Sequence, residues 1–219
     1  MTGTVRSGET KTLPADPESV EQAIGLLRAG AIVAFPTDTV YGVGADCLDA
    51  AAVERLFQAK LRPRGKPIAL LAGLRMDLSA VVARWPHRAA VLAERFWPGA
   101  LTVVVDATPR LPAAVTAGSG KIGIRVPNHP VAQALIGGLG RPVAATSANL
   151  SGQASPRTAC DVAASLAGRV PLILDAGPCP GGVESTVVDV TVDPPLILRL
   201  GAISPEQIAD ALGVRTAST

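Results

Sequence analysis

The feature that most limits the possible fold is a repeated alternation of short apolar segments with segments of helical periodicity. Apolar runs of the length of a buried strand recur along most of the chain. The predicted strands are residues 31–36, 67–72, 100–107, 121–127, 142–146, 171–177, 185–191 and 195–200. Helical segments separate most of them, but the last strands follow one another directly. The sequence therefore predicts an α/β fold with a mixed sheet.

Helix-start signals mark the segments between these strands. Asp16 followed by Pro17 is typical of a helix N-terminus, and the helix that begins there is predicted to end at Gly30. Asp49 caps a second predicted helix, which Pro63 must end at the latest. The other predicted helices are residues 86–97, 129–140 and 157–168, with a last helix from Ser204.

No linker, repeat or low-complexity stretch interrupts this pattern. Residues 13–213 are therefore predicted to form a single domain, with residues 1–12 and 214–219 as flexible tails. The glycine-containing segment "TDTVYGVGAD" (37–46) is predicted to be a turn-rich loop. Hydrophobic residues make up 48% of the chain and aromatic residues only 3%, so the core must be built from Ala, Val, Leu and Ile.

Cysteine usage and hydropathy favour a cytoplasmic protein without a membrane anchor. Cys47, Cys160 and Cys179 are odd in number and form no CxxC pair, so no zinc or disulfide framework is indicated. No apolar run approaches the roughly 20 residues of a membrane span. The first 19 residues lack the apolar core of a signal peptide.

Basic residues are concentrated in stretches without acidic residues. The net charge is only +2, yet no Asp or Glu occurs in residues 55–76 or 107–160. The second stretch contains Arg110, Lys121, Arg125, Arg141 and Arg157. This distribution favours a segregated positive surface, although chance in a chain rich in Ala and Gly is an alternative.

The densest basic stretch is "AKLRPRGKP" (59–67). If the chain is extended beyond the second helix, Lys60, Arg62 and Arg64 share one face. Such a row of donors suits a triphosphate or a nucleic-acid backbone. Pro63 also permits polyproline geometry, so the shared face is an assumption.

Common nucleotide-binding and catalytic motifs are absent. "GSGKIG" (118–123) resembles part of a P-loop, but Val115 stands at the first glycine position and Ile122 where a hydroxyl residue must follow the lysine. "GVGADC" lacks the third glycine of a dinucleotide fingerprint, and no GxSxG occurs. His87 and His129 lie in different segments without partners at motif spacing. Neither histidine is a strong candidate for catalysis.

Polar clusters instead follow the predicted strands, where open α/β sheets place their ligands. They comprise Thr37, Asp38, Thr39 and Tyr41; Lys121 with Arg125; "TSANLSG" (146–152); and "GGVESTVVD" (181–189). Each cluster taken alone could be turn or cap chemistry. Arg199 is the strongest single case, since a cation between Leu198 and Leu200 on a half-buried strand needs a partner or a cavity.

Seven segments carry a resemblance to a known family. They are "AFPTDTVYGVGAD", "FQAKLRP", "WPGALTVVV", "IGIRVPNHP", "ATSANLSG", "GVESTVVD" and "ILRLGAIS", in this order from about Gly30 to Gly201. The chain in these segments resembles the YrdC-like threonylcarbamoyl-AMP synthases. "KLR" (60–62) and "SAN" (147–149) are similar to the family's KxR…SxN signature. Asp38 departs from the pattern, since many members have Glu there.

This resemblance implies a twisted mixed sheet around a concave positive cavity. It implies a nucleotidyltransferase that joins L-threonine, bicarbonate and ATP into threonylcarbamoyl-adenylate and releases pyrophosphate. Magnesium would arrive with ATP, and no organic cofactor is implied. A partner transferase would pass the product to an adenosine of tRNA, and direct tRNA or RNA binding stays open. Because the chain ends at Thr219, soon after the last helix, we expect a short, single-domain member.

The resemblance also implies roles for residues. The threonine site would comprise Thr37, Tyr41, Arg125, Ala145 and Ser185. The ATP site would comprise Lys60, Arg62, Arg64, Lys121, Ser147, Asn149, Ser155 and Arg199. The catalytic set would be Lys60, Arg62, Ser147 and Asn149. No protein ligands alone would hold a metal, although Ser147 and Asn149 could contact the magnesium of ATP. Replacing Lys60 or Arg62 by Ala is predicted to abolish adenylate formation and to leave the fold intact.

Three other interpretations stay open at this point. A positive concavity could bind double-stranded RNA or tRNA through phosphates without catalysis. A related enzyme could activate carbamoyl phosphate, but such domains occur fused to acylphosphatase and zinc-finger segments that this sequence lacks. A non-enzymatic scaffold is the weakest interpretation, since no patch of the sequence resembles a large exposed interface.

Overall fold

The computed structural model describes residues 9–214 and 216–218, and within them it has twelve strands and seven helices. The strands are β1 (Lys11–Pro14), β2 (Val33–Phe35), β3 (Gly42–Asp46), β4 (Ala69–Leu71), β5 (Val82–Arg84), β6 (Leu101–Ala107), β7 (Lys121–Arg125), β8 (Val143–Ser147), β9 (Leu172–Asp175), β10 (Thr186–Asp189), β11 (Leu196–Arg199) and β12 (Ala217–Ser218). The helices are α1 (Pro17–Arg28), α2 (Ala50–Lys60), α3 (His87–Phe96), α4 (Ala113–Thr116), α5 (Pro130–Leu139), α6 (Ala159–Leu166) and α7 (Pro205–Leu212).

All twelve strands belong to one mixed sheet. Its order is β1-β9-β2-β3-β8-β4-β7-β6-β10-β11-β12, and β5 pairs with β6. The sheet contains parallel pairs such as β4 with β7 and β6 with β10 and antiparallel pairs such as β3 with β8 and β6 with β7. The predicted α/β fold with a mixed sheet is thus confirmed.

The two faces of the sheet have different environments because side chains alternate along each strand. On β7, Ile122 and Ile124 point into the larger core, which packs against α2, α3, α6 and α7. The alternate residues Lys121, Gly123 and Arg125 point to the opposite face. Each strand in this region therefore supplies both the core and the surface opposite it.

The second core covers only part of that opposite face. Helices α1 and α5 pack on each other and on side chains of β2, β8 and β9 such as Phe35, Val143 and Leu174. Beyond these helices, no helix among the described residues covers the face of β4, β6, β7 and β10, which lines a cavity. The position of two helices thus decides where the cavity forms.

Strand β3 corrects the prediction of a loop over residues 37–46. Its glycines indicated turns, but Gly44 is needed for close packing. A Cβ atom added to Gly44 would overlap Cγ1 of Val143 and would lie 3.2 Å from Cε1 of Phe35. Glycine at this position therefore lets the strand run beside large neighbouring side chains.

The ends of the domain also differ from the prediction. Lys11 and Thr12, predicted to be in a tail, pair with Leu172 and Ile173 of β9. Strand β12, at the predicted C-terminal tail, pairs with β11. Strands β1, β5 and β12 and helix α4 are too short to produce a recognisable hydrophobic periodicity in the sequence. The tail predictions for residues 1–8, 215 and 219 lie outside the described residues.

The predicted helix starts are confirmed. Asp16 accepts a hydrogen bond from the N–H of Ser19 at 2.8 Å, and Asp49 accepts one from the N–H of Ala51 at 2.9 Å. Ser204 begins α7 with a capping box. Among the helices of the described residues, none has the length and apolar character needed to cross a membrane.

Candidate active site

A cavity of about 770 Å³ lies on the open face of the sheet. Its apolar floor comes from alternate residues of neighbouring strands, for example Ala69 of β4, Val104 of β6 and Gly123 of β7. Its charged lining consists of the cations Arg62, Lys66, Lys121, Arg125 and Arg199 and the carboxylates Glu184 and Asp189. Five cations against two carboxylates make the cavity a site for anionic ligands.

Glycine in the floor gives the cavity its depth. A Cβ atom added to Gly123 would lie 2.8 Å from Cγ2 of Thr102. A larger residue at this central position of β7 would raise the floor between Lys121 and Arg125. The sheet can therefore present cations at both ends of one strand and leave open space between them.

Eight of the predicted site residues line this single cavity. They are Thr37, Arg62, Lys121, Arg125, Ala145, Ser147, Ser185 and Arg199. These residues come from segments far apart in the sequence, and the sheet brings them together. Five predicted residues do not line the cavity: Tyr41, Lys60, Arg64, Asn149 and Ser155. The expectation that scattered basic and hydroxyl residues meet in one hollow is confirmed for the first group.

Arg125 is a buried cation with a defined orientation. It forms an ion pair with Asp38 at 2.5 Å, donates to Oγ1 of Thr39 at 2.9 Å and donates from Nε to the carbonyl of Gly99 at 2.9 Å. Burial lowers the pKa of Arg125, and Asp38 opposes this shift. A guanidinium group has five N–H donors. Since these contacts use three, one N–H on each terminal nitrogen remains for a ligand.

The Thr37–Thr39 turn beside Arg125 is held by its own hydroxyl groups. Thr37 is buried, and its Oγ1 donates to the carbonyl of Val40 at 2.7 Å and accepts from the N–H of Thr39 at 3.1 Å. Both threonines line the cavity. The predicted turn chemistry is therefore present at Thr37, which also lies in the cavity lining.

Tyr41 lies under the site and not in its lining. The side chain is fully buried, and its hydroxyl donates to the carbonyl of Gly177 at 2.7 Å. Burial raises the pKa of Tyr41 well above its ordinary value. This placement supports the loop after β9 and does not support direct contact with a ligand.

Lys60 differs most from its predicted role. It is the last residue of α2 and is only 1% exposed. Its Nζ donates to the carbonyl oxygens of Ser147 and Asn149, the latter at 2.5 Å, and lies 3.3 Å from Oδ1 of Asn149. Burial, and secondly the charge of Arg62, lower the pKa of Lys60 to about 8. Lys60 thus holds the backbone of the 147–149 segment from below.

The predicted shared face of Lys60, Arg62 and Arg64 is wrong. Leu61 ends α2 in the left-handed conformation, with φ of 51°, which breaks the alternation that an extended chain would give. Arg64 folds back along the helix and pairs with Glu54 at 2.5 Å. The side chains of Lys60, Arg62 and Arg64 therefore lie in three different environments.

Arg62 alone of these three points into the cavity. It donates from Nη2 to the carbonyl of Pro67 at 2.7 Å, which fixes the side chain without neutralising it. Over residues 9–214 and 216–218 it forms no ion pair. Burial lowers its pKa. The charge of Arg62 is therefore left for a ligand.

Two further cavity cations, Lys121 and Arg199, have carboxylate partners that sequence reasoning missed. Lys121 pairs with Asp189 at 2.9 Å, and Arg199 pairs with Glu184. Arg199 also donates to the carbonyl of Ser185 at 2.8 Å. The inference that Arg199 needs a partner or a cavity is confirmed, since it has both. The sequence contains a signal for Asp189, because its even spacing of four residues from Ser185 places both side chains on the same face of the predicted strand 185–191.

Asn149 and Ser155 support the site from its edge. Asn149 is buried, donates from Nδ2 to the carbonyl of Gln153 at 2.6 Å and directs its oxygen towards Lys60. Ser155 donates to Oε1 of Glu184 at 2.6 Å. An amide oxygen that faces an ammonium group is a poor magnesium ligand, so this geometry favours Ser147 over Asn149 for a metal contact. The described part of the chain contains no cluster of three or more His, Cys, Asp or Glu side chains placed to hold a metal.

The mixed sheet with its open, cationic face places the protein in the class of α/β proteins with a cavity suited to small anionic ligands. Sequence comparison identifies the family. The Sua5/YciO/YrdC model, described as telomere recombination, matches residues 25–201. The chain therefore belongs to the Sua5/YciO/YrdC family, which confirms the resemblance seen in the sequence.

Two relatives and one solved structure define the extent of this similarity. A threonylcarbamoyl-AMP synthase from Bacillus subtilis is 44% identical over 93% of this chain, but the chain spans only 59% of that protein. A relative from Mycobacterium tuberculosis is 42% identical over 93% of this chain, which spans 95% of it. The crystal structure of Pyrococcus abyssi Sua5 complexed with L-threonine has a TM-score of 0.89 and 40% identity, covering 95% of this chain and 62% of that one.

Proposed function

We propose that this protein is a threonylcarbamoyl-AMP synthase that forms threonylcarbamoyl-adenylate and pyrophosphate from L-threonine, bicarbonate and ATP. The observation that carries the proposal is the convergence of Arg62, Lys121, Arg125 and Arg199 on one cavity of about 770 Å³. A cavity of this size suits a nucleotide together with a small amino acid. The named synthase from Bacillus subtilis and the threonine-bound Pyrococcus abyssi structure support the same conclusion.

Arg125 supports the placement of the threonine carboxylate. Its two remaining N–H groups, one on each terminal nitrogen, can donate to the two oxygens of a carboxylate. Asp38 and Thr39 fix the plane of the guanidinium group before the ligand arrives. Thr37, Ala145 and Ser185 are the other residues of the cavity assigned to threonine. Tyr41 would act on this site only through the loop that it supports.

The nucleotide phosphates are assigned to the side of the cavity that holds Arg62, Lys121 and Arg199. Ser147 lies in the same lining and adds a hydroxyl group. Arg62 has no acidic partner among the described residues, so a phosphate there replaces water without displacing a carboxylate. Lys60 and Asn149 would position this group by holding the Ser147 backbone. Arg64 would have to leave Glu54 before it could contact ATP.

The chemistry fits such a site. The amine of threonine and bicarbonate form an N-carboxylate with loss of water, and a carboxylate oxygen attacks the α-phosphorus of ATP. The new P–O bond forms while the bond to the β-phosphate oxygen breaks, and the electron pair leaves with pyrophosphate. Charge builds on phosphate oxygens, so fixed cations stabilise the transition state. No strongly basic histidine is required for this step.

Magnesium would enter with ATP and would neutralise phosphate charge when bound. Its only expected protein ligand is the Ser147 hydroxyl, because Oδ1 of Asn149 faces Lys60. We expect the activity in the cytoplasm, where the free cysteines Cys47, Cys160 and Cys179 stay reduced. A separate transferase would carry the threonylcarbamoyl group to tRNA.

The test is mass spectrometry of a reaction that contains ATP, magnesium, bicarbonate and L-threonine. We expect threonylcarbamoyl-adenylate and threonine-dependent pyrophosphate from the unaltered protein. Arg62→Ala should reduce the rate by at least about 100-fold, because it removes a cation that faces the reacting phosphates. The matched control is Arg28→Ala, which removes an exposed arginine of α1 that lies outside the cavity, pairs with Glu21 at 4.0 Å and donates to the carbonyl of Gly138 at 2.5 Å. It should leave the rate unchanged.

Several results would contradict the proposal. Full activity in Arg62→Ala would remove the assignment of the phosphate site. Absence of threonine-dependent product, combined with salt-sensitive binding of duplex RNA, would favour the RNA-binding alternative. Product formation from carbamoyl phosphate and not from bicarbonate with threonine would identify a different acyl donor.

A further inference from the structure

Glu184 is a carboxylate inside a cavity that otherwise attracts anions. Its Oε2 pairs with Arg199, and its Oε1 accepts a hydrogen bond from Ser155 at 2.6 Å. Both partners belong to the set assigned to the nucleotide. Glu184 therefore occupies a donor of Arg199 in the cavity lining that would otherwise be open to a phosphate group, while Ser155 holds the carboxylate from the edge of the cavity.

The charge of Glu184 also acts on the cations deeper in the site. Burial is the main cause that lowers the pKa of Lys60 and Arg62, and Glu184 raises the pKa of both residues. The carboxylate is thus close enough to Arg62 to reduce the positive potential there, although it forms no ion pair with it. Its influence extends from Arg199 to the residues beneath the phosphate side of the cavity.

The backbone around Glu184 is fixed, so its side chain is the part that can move. The N–H of Gly182 donates to the carbonyl of Thr39 at 2.7 Å, and the carbonyl of Glu184 accepts from the N–H of Ala202 at 3.1 Å. The Glu184 side chain itself is 34% exposed, and that of Arg199 is 45% exposed. A rotation about the side-chain bonds can release the carboxylate towards solvent without moving either anchored segment.

We propose that Glu184 occupies a phosphate position in the ligand-free cavity and is displaced from Arg199 and Ser155 when the triphosphate binds. This inference rests on the proposed function and adds a specificity-determining residue to it. A ligand with several phosphate charges can displace the carboxylate, whereas a singly charged anion gains little by doing so. Glu184 thereby reserves a strongly cationic cavity for polyphosphate ligands.

The test compares Glu184→Gln with the unaltered protein by calorimetric titration of a non-hydrolysable ATP analogue in the presence of magnesium. Glutamine keeps the size of the side chain and one acceptor oxygen but removes the charge and the second acceptor. We expect the dissociation constant to fall by about three- to tenfold, the effect of one partly exposed charge pair. Asp193→Asn is the matched control, because Asp193 pairs with Arg88 at 2.9 Å outside the cavity, and it should leave the affinity unchanged.

A second measurement keeps the inference testable if the variant is unstable. In a crystal structure of the unaltered protein with the analogue, Arg199 should contact a phosphate and the Glu184 carboxylate should have left it. Unchanged or weaker binding in Glu184→Gln, or an intact Glu184–Arg199 pair in the complex, would overturn the inference while the adenylate-forming activity of the unaltered protein stands. Failure of the unaltered protein to bind the analogue would overturn the proposed function as well.

Discussion

Arg62 and Arg64 are two residues apart, yet their side chains meet different surroundings. Leu61 in the left-handed conformation turns the chain at the end of α2, and Arg64 returns to Glu54 of the same helix. Sequence spacing could indicate that cations gather here, but it could not show which of them faces the cavity. Which side chain faces the cavity depends on the left-handed backbone conformation of Leu61, a conformation that leucine rarely adopts.

At the same scale, Lys60 acts on stability as well as on the site. Lys60→Met should lower the free energy of unfolding by about 1–3 kcal/mol, because the carbonyls of Ser147 and Asn149 lose a buried donor. This revises the expectation that substitution of Lys60 leaves the fold intact. Urea unfolding provides the measurement, with Lys66→Met as an exposed control. Equal stability of the two variants would contradict the supporting role.

The effect of Lys60 should also depend on pH. Its pKa in the folded protein is about 8, below the ordinary value of 10.5. Between these values the unfolded chain binds more protons at Lys60 than the folded protein does. The contribution of Lys60 to the free energy of unfolding therefore rises as pH increases from about 8 to 10.5. The stability difference between the unaltered protein and Lys60→Met should widen over this window, and a constant difference would contradict it.

At the scale of elements, strong hydrophobic periodicity predicts most of the helices and the long strands. The short elements have too little periodicity to be predicted, and the glycines of β3 point to a loop where a strand forms. Residues 100–107 and 121–127 contain continuous apolar or alternating patterns, and β6 and β7 form there. In β3 glycine indicated a turn because the sequence does not show the large side chains that the strand must pass. Only the assembled sheet reveals that requirement.

The candidate site was predictable to a similar degree. Hydroxyl and basic residues after strands pointed to the cavity, whereas the acidic partners Asp38, Glu184 and Asp189 were not assigned roles. Their importance comes from distances to Arg125, Arg199 and Lys121 across the sheet. A single sequence does not contain those distances, and the same carboxylates elsewhere would be ordinary surface groups.

The packing of α1 against α5 gives a prediction at the scale of elements. A Cβ atom at Gly138 would overlap Cδ1 of Ile24, whereas one at Gly137 meets no atom within 4 Å. Gly138→Ala should lower the free energy of unfolding by about 1–3 kcal/mol through overpacking. Gly137→Ala should raise it by about 0.5–1 kcal/mol, since alanine favours helices. Thermal and denaturant unfolding distinguish the two, and similar effects at both positions would contradict the described helix contact.

At the scale of the whole molecule, the cavity joins residues from β3 to β11, so a ligand there should stabilise the entire domain. A non-hydrolysable ATP analogue at 100 times its dissociation constant should raise the free energy of unfolding by about 2.7 kcal/mol. For a domain of this size that corresponds to a melting temperature higher by roughly 5–10 °C. Thermal denaturation with and without analogue measures it. An equal shift in Arg62→Ala at the same analogue concentration would show that the ligand binds elsewhere.

The alternation along β7 has a consequence for how such a protein can diversify. Lys121, Gly123 and Arg125 face the ligand, while Ile122 and Ile124 hold the molecule together. Lys121 is partly exposed, so a substitution there is the most accessible evolutionary route to new selectivity on this strand. An insertion or deletion of one residue in β7 would instead turn the core residues towards the ligand and the ligand-facing residues into the core. Related proteins that retain the fold should therefore differ in residue type along β7 and keep its length constant.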